Sequence, residues 1–160
     1  MDGLLYYSCI YIYFCIGKVK YPIGDTLPLD IYAENMIRHY EKPHNKGKLD
    51  NPSAKIHEDN PTCGDTIDVY LLISENKLKD VKFTGDGCSI SLGSASMVTD
   101  YVKGKTLQEI KRMGKDELIE VIGINPGAGR MHCATLALKA IKEAIFKYEG
   151  KLVDESTKEL

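Results

Sequence analysis

The residues able to do chemistry in this chain are three thiols, Cys63, Cys88 and Cys133, with Asp65 two positions from the first and His132 directly before the last. Cys63 and Asp65 lie in Asn60-Pro61-Thr62-Cys63-Gly64-Asp65. Pro61 fixes its own φ and biases Asn60 toward extended backbone, while Gly64 can take angles that other residues avoid, so both side chains are presented on a turn. Thiolate sulfur suits zinc or iron-sulfur centres, and a carboxylate is a harder, weaker partner for them. The pair therefore suggests a metal site with one deliberately poor ligand. Taken alone, the hexapeptide reads equally well as a buried free Cys beside an Asp that caps its turn.

The other thiols sharpen that choice. Gly85-Asp86-Gly87 leads into Cys88, and two glycines around an acid predict a tight turn that returns Cys88 toward the start of the preceding strand. Cys133 falls at the start of a helical stripe, where the partial positive charge of a helix end would favour thiolate and make the sulfur reactive. Each thiol thus ends a regular element, and none sits in mid-stripe where a core Cys belongs. His132 offers a nitrogen ligand, although a His beside a helix start serves as readily as a cap or a solvated ring.

The elements that must position these groups follow from periodicity. Ile67, Val69, Leu71 and Ile73 alternate with Asp68, Tyr70 and Leu72, the pattern of a strand with one buried face. Ser74-Glu75-Asn76-Lys77 supplies a turn, and Leu78, Val81 and Phe83 form a second strand whose phase slips at Lys79-Asp80, where a bulge is expected. Small residues from Ser91 to Ser96 allow close backbone approach, and Ala95, Val98, Tyr101 and Val102 continue as a helix closed by Gly104. Thr106-Leu107-Gln108-Glu109 matches a capping box, Gly114 stops that helix, and another short one is expected over Asp116 to Ile122. Gly123 to Arg130 reads as a loop. Ala134, Ala137, Leu138, Ile141, Ala144, Ile145 and Tyr148 form the longest stripe, running to Gly150, and the charged tail from Lys151 is expected to fray. Upstream, Ile31, Met36, Ile37 and Tyr40 give a short amphipathic helix, and Glu41 to Asp59 reads as a long surface loop with solvated His44 and His57.

With 160 residues the chain makes one domain: an apolar extension over 1–28, a folded unit over 29–150 and a tail over 151–160. A net charge of −2 and a pI near 6.1 leave no electrostatic footprint for nucleic acid or an anionic membrane. The five Cys, at 9, 15, 63, 88 and 133, are odd in number and lack paired spacing. That argues for a reducing, cytoplasmic setting in which thiols are free to bind metal. Residues 3 to 16 are nearly all apolar but shorter than the roughly 20 residues of a spanning helix, and they lack a signal peptide's basic start. A dispensable extension ranks first there, an edge strand or partner-binding segment second and a membrane anchor last.

Four blocks in order then resemble the U-type iron-sulfur cluster scaffolds, which comprise IscU, SufU and the amino-terminal domain of NifU. They are His39-Tyr40-Glu41-Lys42-Pro43-His44-Asn45-Lys46-Gly47, the hexapeptide at 60–65, Thr84-Gly85-Asp86-Gly87-Cys88-Ser89-Ile90-Ser91 with Ser94-Ala95-Ser96, and His132-Cys133-Ala134-Thr135-Leu136. The resemblance implies an α+β fold, a small antiparallel sheet of about three strands flanked by helices. It puts the cluster-binding cysteines on Cys63, Cys88 and Cys133, the partly ligating aspartate on Asp65, and the residue before the last cysteine on His132. It also implies a transient [2Fe-2S] cluster and iron as cargo, a cysteine desulfurase as sulfur donor and apo-proteins as acceptors, on a platform rather than a turnover enzyme. The rival within the family is a SufU-type, zinc-dependent sulfur-transfer protein, and a purely structural zinc site is the third reading. Where the IscU branch carries a Leu-Pro-Pro-Val-Lys chaperone motif this chain has Asn125-Pro126-Gly127-Ala128-Gly129-Arg130, so a dedicated Hsp70-type partner is not expected. His132 follows the IscU and NifU pattern and Cys133-Ala134-Thr135-Leu136-Ala137 the SufU one, which leaves both branches open.

Overall fold

A computed structural model describes residues 29–160, so the expected extension at 1–28, with Cys9 and Cys15, lies outside the described residues. Helix α1 (Leu29–Glu41) precedes a three-stranded antiparallel meander of β1 (Ala54–Asn60), β2 (Asp65–Ser74) and β3 (Lys77–Asp86). Then follow α2 (Ser89–Val102), α3 (Leu107–Arg112), α4 (Lys115–Ile122), a 3-10 turn at Ala128–Arg130, α5 (Met131–Glu149) and α6 (Glu155–Lys158). This is the expected α+β fold. Among the described residues no helix is long and apolar enough to cross a membrane.

The alternating residues of β2 bury Ile67, Val69, Leu71 and Ile73 against the helices, as their period requires. β3 joins β2 through Glu75 and Asn76, both at positive φ, as two-residue hairpin loops favour. The bulge falls where the phase slipped: Leu72 faces Asp80 and Ile73 faces Leu78, which leaves Lys79 as the extra residue. Sheet, α2 and α5 share one core, with Val69, Phe83, Ala95, Val98, Leu138 and Ile141 all at or near zero exposure. The capping box forms, Thr106 and Glu109 each meeting the other's backbone N–H.

Three expectations need correction. The stretch read as one surface loop contains β1, which pairs with β2 along its whole length from Ala54↔Leu71 to Asn60↔Asp65. Its sequence, Ala-Lys-Ile-His-Glu-Asp-Asn, hides the strand because it is an edge whose inward face is partly polar: Ile56 packs on the core while Glu58 reaches Lys139 of α5 at 3.4 Å. The stripe on α1 is not buried as a stripe. Ile31, Ile37 and Tyr40 are exposed and only Met36 is sunk, because α1 meets α2 along one narrow line at Gly93. The tail does not fray: α6 folds back, Thr157 and Leu160 are buried, and Thr135 Oγ1 donates to the Leu160 carbonyl at 2.6 Å. Its charged residues concealed two inward-facing ones.

His57 and His44 are largely exposed, yet each is tied to a carboxylate, His57 to Asp68 at 3.0 Å and His44 to Asp100. Asn45 and Gly47 bond the backbone of Phe83, so this part of the loop is pinned to the β3 edge.

The α1–α2 contact gives a stability test. A Cβ at Gly93 would stand 2.9 Å from the Met36 carbonyl oxygen and press on its sulfur. Gly93→Ala should therefore destabilise the fold by about 1–3 kcal/mol, read as a lower urea midpoint at unchanged slope. An unchanged midpoint would show that α1 does not lie against α2 in this way.

Candidate metal centre

The hexapeptide is the β1–β2 connection. Asn60 and Asp65 are the closing pair, Gly64 takes φ +73°, and the Asn60 carbonyl accepts from the N–H groups of Cys63 and Gly64 at 3.3 and 2.8 Å. The Asn60 side-chain oxygen accepts from Thr62 N–H at 3.0 Å, an Asx turn that fixes the loop from within. Cys63 is exposed on this loop and Asp65 is buried at its foot.

β3 runs back beside β2 and delivers Gly87 and Cys88 to the same corner. Cys88 is the N-cap of α2, its sulfur accepting from Ser91 N–H at 3.4 Å. The Asp65 carboxylate accepts Cys88 N–H at 3.2 Å through Oδ1 and faces the Cys88 thiol at 3.7 Å through Oδ2. Cys133, third residue of α5 and only 2% exposed, brings its Sγ to 2.9 Å from that of Cys63. That is well beyond the about 2.05 Å of a disulfide, and all three are free thiols. One donor atom from each of Cys63, Asp65 and Cys133 lies within 4.8 Å of the other two. Cys88 lies outside that group and is linked to it through Asp65.

His132 does not join it. Its side chain is exposed and lines a shallow groove with Pro61, Thr62 and Lys139. Asn60, on the other hand, does more than turn the chain. Its buried amide nitrogen lies 3.5 Å from Cys63 Sγ and 3.9 Å from Cys133 Sγ, a neutral donor set against two sulfurs. Its place three residues before a Cys marks it only as a turn former, and the fold alone reveals the second contact.

Cys133 also reverses an expectation. Burial first, then hydrogen bonding of its S–H with Cys63 and Asp65 and the nearness of Cys88, push its thiol well above the usual cysteine range. The helix end that was to favour thiolate is outweighed by this burial and by the neighbouring groups that crowd the sulfur. A cation would relieve that crowding. Three soft sulfurs and one hard oxygen are a donor set that fits zinc or iron.

Comparison with known proteins shows the family. Residues 31–155 match the family model described as the NifU-like N terminal domain. The chain belongs to this family. Among NifU-like relatives, the iron-sulfur cluster assembly scaffold protein IscU 1 of Archaeoglobus fulgidus is 33% identical over 121 residues, covering 76% of this chain and 78% of its own. The zinc-dependent sulfurtransferase SufU of Bacillus subtilis is 36% identical over 137 residues, covering 75% of this chain and 92% of its own. Among solved structures, FiSufU from Fervidobacterium islandicum AW-1 superposes with a TM-score of 0.64 at 26% identity, over 72% of this chain and 97% of that one.

Gly87 tests how tightly the corner is built. A Cβ there would lie 3.1 Å from Asp65 Cγ and Oδ1 and from Ser91 Oγ, in space that the carboxylate needs. Gly87→Ala should lower metal affinity several-fold in a chelator competition while leaving thermal stability within about 1 kcal/mol of wild type. Equal affinity in the two proteins would mean that Asp65 is not held where metal binding needs it.

Proposed function

We propose that this protein is a platform on which a [2Fe-2S] cluster is built from iron and from sulfur supplied by a cysteine desulfurase, and from which the cluster passes to apo-proteins. The observation that carries the reading is the convergence of Cys63, Asp65 and Cys133, with Cys88 bonded to the same carboxylate. The cluster is cargo, not a resident group. Cys63, Cys88 and Cys133 are its thiolate ligands in this reading, and Asp65 is the weak fourth. Asp65 takes that place ahead of His132, which is exposed and outside the convergent donors. The names of the IscU relatives support the scaffold role. Persulfide sulfur must gain electrons to become sulfide, so assembly also needs an external electron donor. In this reading the working unit is residues 29–150 with the 151–160 tail packed against α5, in the cytoplasm, with residues 1–28 dispensable and no dedicated Hsp70-type chaperone.

A second reading is favoured by the exposure of Cys63 and by the likeness to the Bacillus sulfurtransferase. In it the site holds zinc, and a thiolate such as that of Cys63 attacks the outer sulfur of a desulfurase persulfide. The donor's S–S bond breaks, the desulfurase thiolate leaves, and a new persulfide forms with no net redox change.

Two experiments bear on these readings. Cys63→Ser, Cys88→Ser and Cys133→Ser should each abolish the reconstituted cluster, because two thiolates and a weak carboxylate hold it too loosely to survive, while Cys9→Ser and Cys15→Ser should retain it. Retention in Cys88→Ser with loss in Cys9→Ser would overturn the ligand assignment. Asp65→Ala should still acquire a cluster through its three thiols but give it to an apo-ferredoxin more slowly, having lost the displaceable ligand. Faster cluster loss together with weakened zinc binding in that variant would favour the sulfur-transfer reading instead.

A further inference from the structure

A second group of metal-binding side chains stands away from the thiols. His39, near the end of α1, and His44, in the loop after it, approach with ring centroids 4.6 Å apart, tilted at 57°. Asp100 faces them from the last turn of α2. One donor atom from each of the three lies within 4.8 Å of the other two. From this juxtaposition we propose that His39, His44 and Asp100 form a thiol-free site for a divalent first-row transition-metal ion such as Fe²⁺ or Zn²⁺.

Two imidazoles and one carboxylate on one side of a cation, the other side left open, is a donor set that suits such ions and does not suit Mg²⁺ or Ca²⁺, which prefer all-oxygen shells. Each donor is already oriented by a fixed partner. His39 Nδ1 lies 2.7 Å from the hydroxyl of Ser96, a fully buried residue, so with Nδ1–H donated there Nε2 carries the lone pair. The same hydroxyl accepts His44 N–H at 2.8 Å, which fixes the loop carrying the second ring. Asp100 Oδ1 accepts from Asn45 Nδ2 at 2.7 Å, and Oδ2 meets His44 Nδ1 at 2.5 Å, where a metal would take the place of the shared proton. A carboxylate in the last turn of a helix sits at the negative end of the helix dipole, where a cation is favoured. Lys103 does not occupy it: its Nζ goes to Asp80 and to the Asn45 side-chain oxygen, both at 2.8 Å.

The side chains are accessible as well as oriented, His44 being 59% exposed and Asp100 20%. Cys88 caps one end of α2 and Asp100 stands near the other. Along a helix of 14 residues that separation is about 20 Å, so the two sites can fill independently. The site does not depend on the scaffold reading, since it uses no thiol.

Cobalt distinguishes the sites directly. Thiolate-bound Co²⁺ shows intense near-ultraviolet charge-transfer bands, whereas Co²⁺ on two imidazoles and a carboxylate shows only weak visible bands. Anaerobic titration of the full chain should give two classes of bound Co²⁺, one with charge transfer and one without. His44→Ala and Asp100→Asn, checked for an unchanged urea midpoint, should weaken the second class by about tenfold or more and leave the first untouched. Cys63→Ser should do the reverse. The proposal is overturned if wild type binds Co²⁺ only with charge-transfer bands, or if the second class keeps its affinity in either variant. The histidines and Asp100 would then serve only to fasten the loop to α2.

Discussion

A carboxylate taken out of water is costly unless its lone pairs are met, and Asp65 is 4% exposed at the first position of β2. What meets it is Cys88, through both its backbone N–H and its thiol. This contact joins the foot of one hairpin to the start of α2, and the arrangement of the other donors depends on it. The β2–β3 register, with Thr66 opposite Asp86, brings Cys88 within reach. The β1–β2 loop then holds Cys63 above Asp65, and α5 closes the corner with Cys133. None of the thiols is adjacent in sequence, so antiparallel pairing does the work that close Cys spacing does in a zinc ribbon.

The corner has an open side and a closed side. Cys63 is exposed while Cys133 is buried among Cys63, Asp65 and Asn60. A partner's thiol can approach the first and not the second. Burial and the neighbouring groups favour the protonated Cys133 thiol, and a metal-centred cargo would offset the cost of making that sulfur a thiolate.

Most of the fold was legible because its signals are local. The β2 alternation, the bulge at Lys79, the Thr106–Glu109 box and the α5 stripe each follow from a short stretch of residues. The three thiols and Asp65 were legible as turn and helix-end residues. What escaped reading depends on distant partners. β1 is a strand because β2 pairs with it, and its Glu58 and Asn60 hide the period. α6 is held by Thr157 and Leu160, two inward residues in a charged tail. The raised Cys133 thiol and the Asn60 amide between two sulfurs are products of tertiary crowding, which no spacing of residues encodes. His39, His44 and Asp100 likewise come from different elements, brought together where α1 crosses α2.

The central claim is that one corner of the fold holds a sulfur-bridged iron cargo. It is tested most directly by anaerobic reconstitution of the metal-free full chain with Fe³⁺ and sulfide, followed by iron and acid-labile sulfide analysis alongside visible absorption. The account predicts a brown protein containing iron and acid-labile sulfide in equal amounts, with the absorption of a [2Fe-2S] cluster. A colourless protein that retains tightly bound zinc and takes up no sulfide would contradict it.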